Sequence, residues 1–155
     1  MISSNGRITG IYIGQQKGGP KTETPSAELI ADHGLRGDSH AGLELNRQVS
    51  LFAVEVLREL QREGFDLSPE KLSANLFTEN ISLDALKPGS RLSIGTAILE
   101  IVEQRNPCRS ITRIDNRLPK RMLGKCGQLA RIIKGSIIHP GDQVAILTLD
   151  LEKSD

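Results

Sequence analysis

Aromatic side chains are nearly missing from this chain of 155 residues, which has three phenylalanines, one tyrosine and no tryptophan. Platforms for stacking bases or gripping proline-rich peptides are therefore scarce, and Val, Ile and Leu must build the core. A chain of this length can bury such a core as one domain. An excess of one charge is missing too: 20 Lys and Arg against 19 Asp and Glu leave a formal +1. That balance argues against broad nucleic-acid binding while leaving room for a local basic pocket. There are only two cysteines, Cys108 and Cys126. They match neither a disulfide framework nor a paired Cys-x-x-Cys zinc site, so the expected compartment is a reducing cytoplasm. No apolar run approaches the roughly 20 residues of a membrane span, and Met1–Arg7 does not resemble a signal peptide.

What is present punctuates the chain clearly. Arg7–Gly14 (RITGIYIG) has the β-branched and aromatic content of a first strand, and the polar Gln15–Ser26 reads as a loop. A glycine-rich stretch, Gly34–Gly42 (GLRGDSHAG), leads into Arg47–Leu51, which begins as strand. Ser50 is placed to cap a helix over about Leu51–Glu63, with Phe52, Val56, Leu57 and Leu60 on its apolar side, a charged outer face and Gly64 as its stop. Ser68-Pro69 predicts a short helix through about Ser73.

Beyond that point the character turns to β. Leu86–Ile94 and Ile138–Ile146 resemble one another, each with a Pro-Gly pair suited to the centre of a type II turn that launches a strand. Alternation in Arg91–Ile94, with Ala97–Val102, Leu129–Ile138 and Val144–Leu149, gives many short strands between turns. The fold class expected is mainly β with a few helices, closed as a barrel. Arg113–Gly127 is polar and basic and reads as an excursion near Cys108.

Cys108 is the main chemical candidate. In Glu103-Gln104-Arg105-Asn106-Pro107-Cys108-Arg109-Ser110 an apolar strand delivers a thiol to a proline-marked turn between two guanidinium groups. Fixed positive charge favours the thiolate, the form that attacks electrophiles, carries sulfur or binds a soft metal. The plainer alternative is a passive cysteine beside chance arginines. Cys126, in Gly-Lys-Cys-Gly, reads as an incidental thiol, with a resolving role toward Cys108 as its alternative.

Six segments in order carry a resemblance: Gly34–Gly42, Arg47–Leu51 (RQVSL), Leu76–Ile81 (LFTENI), Leu92–Gly95 (LSIG), Arg105–Arg109 (RNPCR) and Gly135–Val144 (GSIIHPGDQV). Together they resemble the MOSC domain, named for the C-terminal domain of molybdenum cofactor sulfurase, in a small stand-alone form with a core of about residues 7–147. The resemblance implies a barrel-like single domain and a cysteine, here Cys108, that carries sulfur or binds the molybdenum of a pterin cofactor. It places Lys21, Arg47, Arg105 and Arg109 as candidates for the cofactor's anionic group and Asn80 for its pterin edge.

Gly37 and Asp38 would belong to a backbone cradle for that cofactor, or simply to a tight loop. His40 would be a pocket hydrogen-bond donor rather than, with His33 and Asp38, a metal ligand. The sequence shows no pyridoxal-phosphate desulfurase domain and no iron–sulfur cysteine set. A sulfur donor or an electron-transfer protein must therefore be external, in the second case for reduction of N-hydroxylated small molecules. The competing class is a noncatalytic module that binds a pterin or another phosphate-bearing ligand.

Overall fold

The structure is a computed structural model that describes residues 6–16, 21–39, 41–42, 48–107 and 109–147, with Arg109 as backbone only. Strands β1 (Gly6–Ile13), β2 (Thr22–Glu23), β3 (Ala27–Ile30), β4 (Gly34–Leu35) and β5 (Val49–Ala53) precede helix α1 (Val54–Arg62). Strands β6 (Leu76–Glu79), β7 (Arg91–Ile94) and β8 (Ala97–Gln104) follow, then helices α2 (Arg109–Ile114) and α3 (Leu118–Met122), and finally β9 (Gln128–Lys134), β10 (Ser136–Ile138) and β11 (Gln143–Leu147).

Seven of these strands close a barrel in the order β1-β11-β7-β8-β9-β5-β6 and back to β1. Every neighbouring pair is antiparallel except β5 and β6, which run parallel with Leu51 opposite Leu76. A parallel pair needs a crossover, and α1 with the 3-10 helix Pro69–Leu72 provides it. A small sheet, β10-β3-β4, lies beside the barrel.

Strand alternation sends neighbouring side chains into two different cores. Val49, Leu51, Leu76, Leu92, Leu99, Ile101, Ala130, Ile132 and Val144 belong to one buried cluster. Phe52, Phe77 and Tyr12 point the other way, into a second cluster with Leu57 and Leu60 of α1, Ile111 of α2, and Leu118 and Met122 of α3. Tyr12 and Phe77 meet edge to face with centroids 5.3 Å apart, a preferred aromatic geometry.

The two Pro-Gly turns are as expected. Gly89 and Gly141 take φ of +93° and +95°, and Ser90 N–H and Asp142 N–H close their turns onto the Lys87 and His139 carbonyls at 3.0 and 3.1 Å. The strands they launch, β7 and β11, pair with each other, Ile94 opposite Val144.

Two expectations are corrected. The helix begins at Val54, not Leu51, and Ser50 lies on β5 rather than at a cap. Leu51 and Phe52 feed opposite cores, which a helix cannot do, so strand burial wins there. The polar, basic stretch Arg113–Gly127 holds the end of α2 and all of α3, whose Leu118 and Met122 supply an inward face beneath its charges. The predicted loop Gln15–Ser26 and the glycine-rich stretch contribute the two-residue strands β2 and β4. Among the described residues no helix is long and apolar enough to cross a membrane.

Candidate functional site

The glycine-rich stretch is fastened to the outside of the barrel by one carboxylate. Gly37 turns the chain at φ +86°. Asp38 then inserts its side chain so that Oδ1 accepts from Gly14 N–H at 3.0 Å, Lys21 Nζ at 3.1 Å and Asn75 Nδ2 at 3.2 Å. The Lys21 and Asp38 side chains are only 4% and 0% exposed, so each charge depends on the other and on its hydrogen bonds.

Asn75 is the hub of this network. Its Nδ2 also donates to the Tyr12 carbonyl at 3.0 Å, while its Oδ1 accepts from Ser50 N–H at 3.1 Å and Ser50 Oγ at 3.2 Å. The Asn75 N–H returns a bond to Ser50 Oγ at 3.0 Å. A buried amide must use its donors and acceptors, and this one does.

Arg105 holds the exit of β8, the segment that leads to Cys108. Its N–H donates to the Gly127 carbonyl at 3.0 Å. Its guanidinium reaches the carbonyls of Leu72 at 3.2 Å and Cys126 at 3.4 Å. Gly127 takes φ +84°, and a Cβ there would lie 1.8 Å from the Leu51 carbonyl oxygen; only glycine permits that approach. Cys126 is buried in the outer core, its Sγ 3.3 Å from the Met122 carbonyl.

Asn80 occupies a different place. It follows β6 with φ +64°, and its N–H donates to Glu55 Oε2 at 2.7 Å. It lines a cleft of about 650 Å³ whose charged groups are Glu55, Glu59, Asp84 and Lys125 and whose wall includes Gly127. β6 separates Asn80 from Asn75, about 16 Å along an extended strand. The structure thus gathers Lys21, Gly37 and Asp38 at one end of β6 and puts Asn80 at the other. Arg105 is tied through Leu72 to the segment that ends in Asn75. Cys108, His40 and Arg47 lie outside the described residues, as does the side chain of Arg109. Among the described residues no three His, Cys, Asp or Glu side chains are grouped to hold a metal.

The displaced carboxyl pKa values belong to exposed ion pairs. Arg117 hydrogen bonds hold Asp115 down to about 2. Glu79 is lowered by Arg58, then Arg7, and Glu63 by Arg121. Burial raises Tyr12. Arg58–Glu79 ties α1 to β6, and Arg121–Glu63 ties α3 to the end of α1.

The residues missed by sequence reasoning are Asn75 and Ser50. A signal existed for Asn75: a lone amide between Ala74 and the buried pair Leu76-Phe77 must be fully hydrogen bonded to be tolerated there.

A model of the MOSC domain matches residues 35–145. Among solved structures, the YuaD protein from Bacillus subtilis is similar with a TM-score of 0.81 and 21% identity, over 94% of this chain and 98% of that one. YiiM from Geobacillus stearothermophilus has a TM-score of 0.69 and 18% identity, over 92% and 75% of the two chains. YiiM from Escherichia coli gives 0.69 and 18%, over 95% and 70%. No curated protein matches the sequence. At these identities the structural likeness is one of fold.

Proposed function

The chain belongs to the MOSC domain family, and on that premise we propose that it is a sulfur carrier whose Cys108 takes sulfane sulfur from an external donor and passes it to an acceptor. The observation that carries this reading is the anchoring of the chain just before Cys108. Arg105 is fixed through its N–H to Gly127 and through its guanidinium to Leu72 and Cys126, and α2 begins directly after the cysteine. Anchored backbone on both sides of a reacting position lowers the entropy cost of a reaction there, which supports this reading.

In the uptake step the Cys108 thiolate attacks the outer sulfur of a donor persulfide. A new S–S bond forms on Cys108, the donor's S–S bond breaks, and the donor leaves as a thiolate. In the release step an acceptor thiolate attacks the outer sulfur of the Cys108 persulfide and Cys108 departs as thiolate. Electrons balance in both steps without an added oxidant.

A resident molybdenum-pterin cofactor would supply a dithiolene-bound metal for Cys108 to ligate and so open reduction of N-hydroxylated small molecules. The described residues do not fit its phosphate. Lys21 is engaged by Asp38 and Arg105 by two carbonyls, and the cleft beside Asn80 sets three carboxylates against Lys125.

Treating the protein with glutathione persulfide and mapping its peptides by mass spectrometry tests this reading. One added sulfur atom on Cys108, released by cyanide as thiocyanate and absent in Cys108→Ala, is the expected result. No sulfur on Cys108 under conditions that load a known persulfide carrier would remove the proposal and favour the noncatalytic binding module. Molybdenum and pterin assays on the same two proteins, made in a host that produces the cofactor, check the cofactor branch.

A further inference from the structure

The near-neutral total charge conceals a polarity. Arg113–Gly127 holds five basic residues and one acid, while the rest of the chain holds fifteen basic and eighteen acidic residues. Folding explains why this charge faces outward: Ile111, Leu118 and Met122 turn into the outer core and leave Arg113, Arg117 and Lys120 exposed. Arg117 is bound to Asp115 and sits 4.9 Å over the Phe65 ring, and Arg121 is paired with Glu63. Arg113 and Lys120 have no carboxylate partner among the described residues. Leu123, three residues after Lys120 in the chain, is 69% exposed, the most exposed large hydrophobic side chain described. This stretch begins only a few residues after Cys108, and Arg113 stands about 6 Å along α2 from its first residue.

We propose that the α2–α3 face is the docking surface for an acidic protein, the donor or acceptor of the sulfur carried on Cys108. The inference rests on the sulfur-carrier reading and adds the partner's chemistry and its place of contact. An exposed apolar side chain in a stretch that also exposes cations has the composition of a protein interface, where the charges steer encounter and the apolar group supplies the anchor. Nucleic acid is disfavoured because Tyr12, Phe52, Phe65 and Phe77, the only aromatic residues, are all buried and offer no stacking platform. A bilayer is disfavoured because one leucine makes no apolar face to insert.

Two synthetic peptides of equal length test the proposal, each carrying one leucine and an aryl mixed disulfide, one with four glutamates and the other with four lysines. Attack by Cys108 forms a protein–peptide disulfide and releases the aryl thiolate, whose absorbance gives the rate; peptide mapping confirms the cysteine. At low salt the acidic peptide is expected to react about tenfold faster than the basic one, with the advantage fading near 1 M salt. Arg113→Glu with Lys120→Glu should reverse the preference, and Leu123→Ser should reduce the acidic peptide's rate. Equal rates for both peptides on a reactive Cys108 would overturn the docking surface and leave the carrier reading standing. Failure of Cys108 to react with either peptide or with neutral iodoacetamide would overturn the carrier reading itself. Stronger competition by single-stranded DNA or phosphatidylserine vesicles than by a disulfide-free acidic peptide would overturn the choice of a protein partner.

Discussion

Replacing Lys21 by methionine keeps most of the side chain's length and removes its charge, leaving the Asp38 carboxylate with Gly14 N–H and Asn75 Nδ2 among its donors. The pair is almost wholly buried, so surface-pair energies do not apply. Removing one member of a buried pair strands the other, at a cost of about 3–5 kcal/mol. For a chain of this size that lowers Tm by about 10 °C. Lys21→Met combined with Asp38→Asn removes both charges and retains an amide oxygen for Gly14 N–H. The double variant should lose less than the two single variants summed, with a coupling of about 2 kcal/mol or more. Urea unfolding of the four proteins, with equal slopes checked first, measures that coupling. A Lys21→Met cost below about 1 kcal/mol, additive with Asp38→Asn, would match a solvated surface pair and refute the network as a stabilising element.

Gly127→Ala drives a methyl group into the Leu51 carbonyl and should cost more than about 3 kcal/mol or abolish soluble expression; a near-wild-type thermal melt would contradict the geometry. Gly89→Ala and Gly141→Ala meet nothing within 4 Å but sit at positive φ, so each should cost only about 1 kcal/mol, read by the same melt. Asp115, Glu63 and Glu79 have carboxyl pKa values lowered by folding. Their stabilisation is present above the ordinary carboxylate range and is lost as pH falls, for Asp115 from about 3.8 toward about 2. The urea midpoint should therefore fall over that acid range, less steeply in high salt; a flat profile would contradict the pairing. Cys126, 4% exposed, should resist alkylation until denaturant is added, and rapid labelling of its peptide in native buffer would contradict its burial.

The barrel was legible where turn chemistry and alternation agreed. Pro88-Gly89 and Pro140-Gly141 announced both their turns and the strands beyond them, and the β-branched runs in β1, β8 and β9 could serve little else. Leu51-Phe52 misled because four apolar positions also fit a helical stripe; only the existence of two cores on opposite faces decides between the periods. The helices of Arg113–Gly127 were hidden by their charge, since two buried side chains, Leu118 and Met122, anchor α3. In the site, Lys21 and Asp38, 17 residues apart, were recognised as notable, but Asp38 is also held by Asn75, 37 residues further on and joined to it only by tertiary folding. Asn80 was grouped with them on the resemblance alone, whereas β6 sets it about 16 Å along an extended strand from Asn75.

Among the described residues β11 is the strand that pairs with both β1 and β7, joining Gly6 and Arg7 to Val144 and Gln143 on one side and Ile94 to Val144 on the other. During synthesis the sheet therefore stays open until Gln143–Leu147 has emerged, with two unpaired edges whose backbone groups can recruit another chain. A nascent chain stalled before Gln143 has most of its apolar residues and no way to close over them, so its last-made barrel strand is also its protection against aggregation.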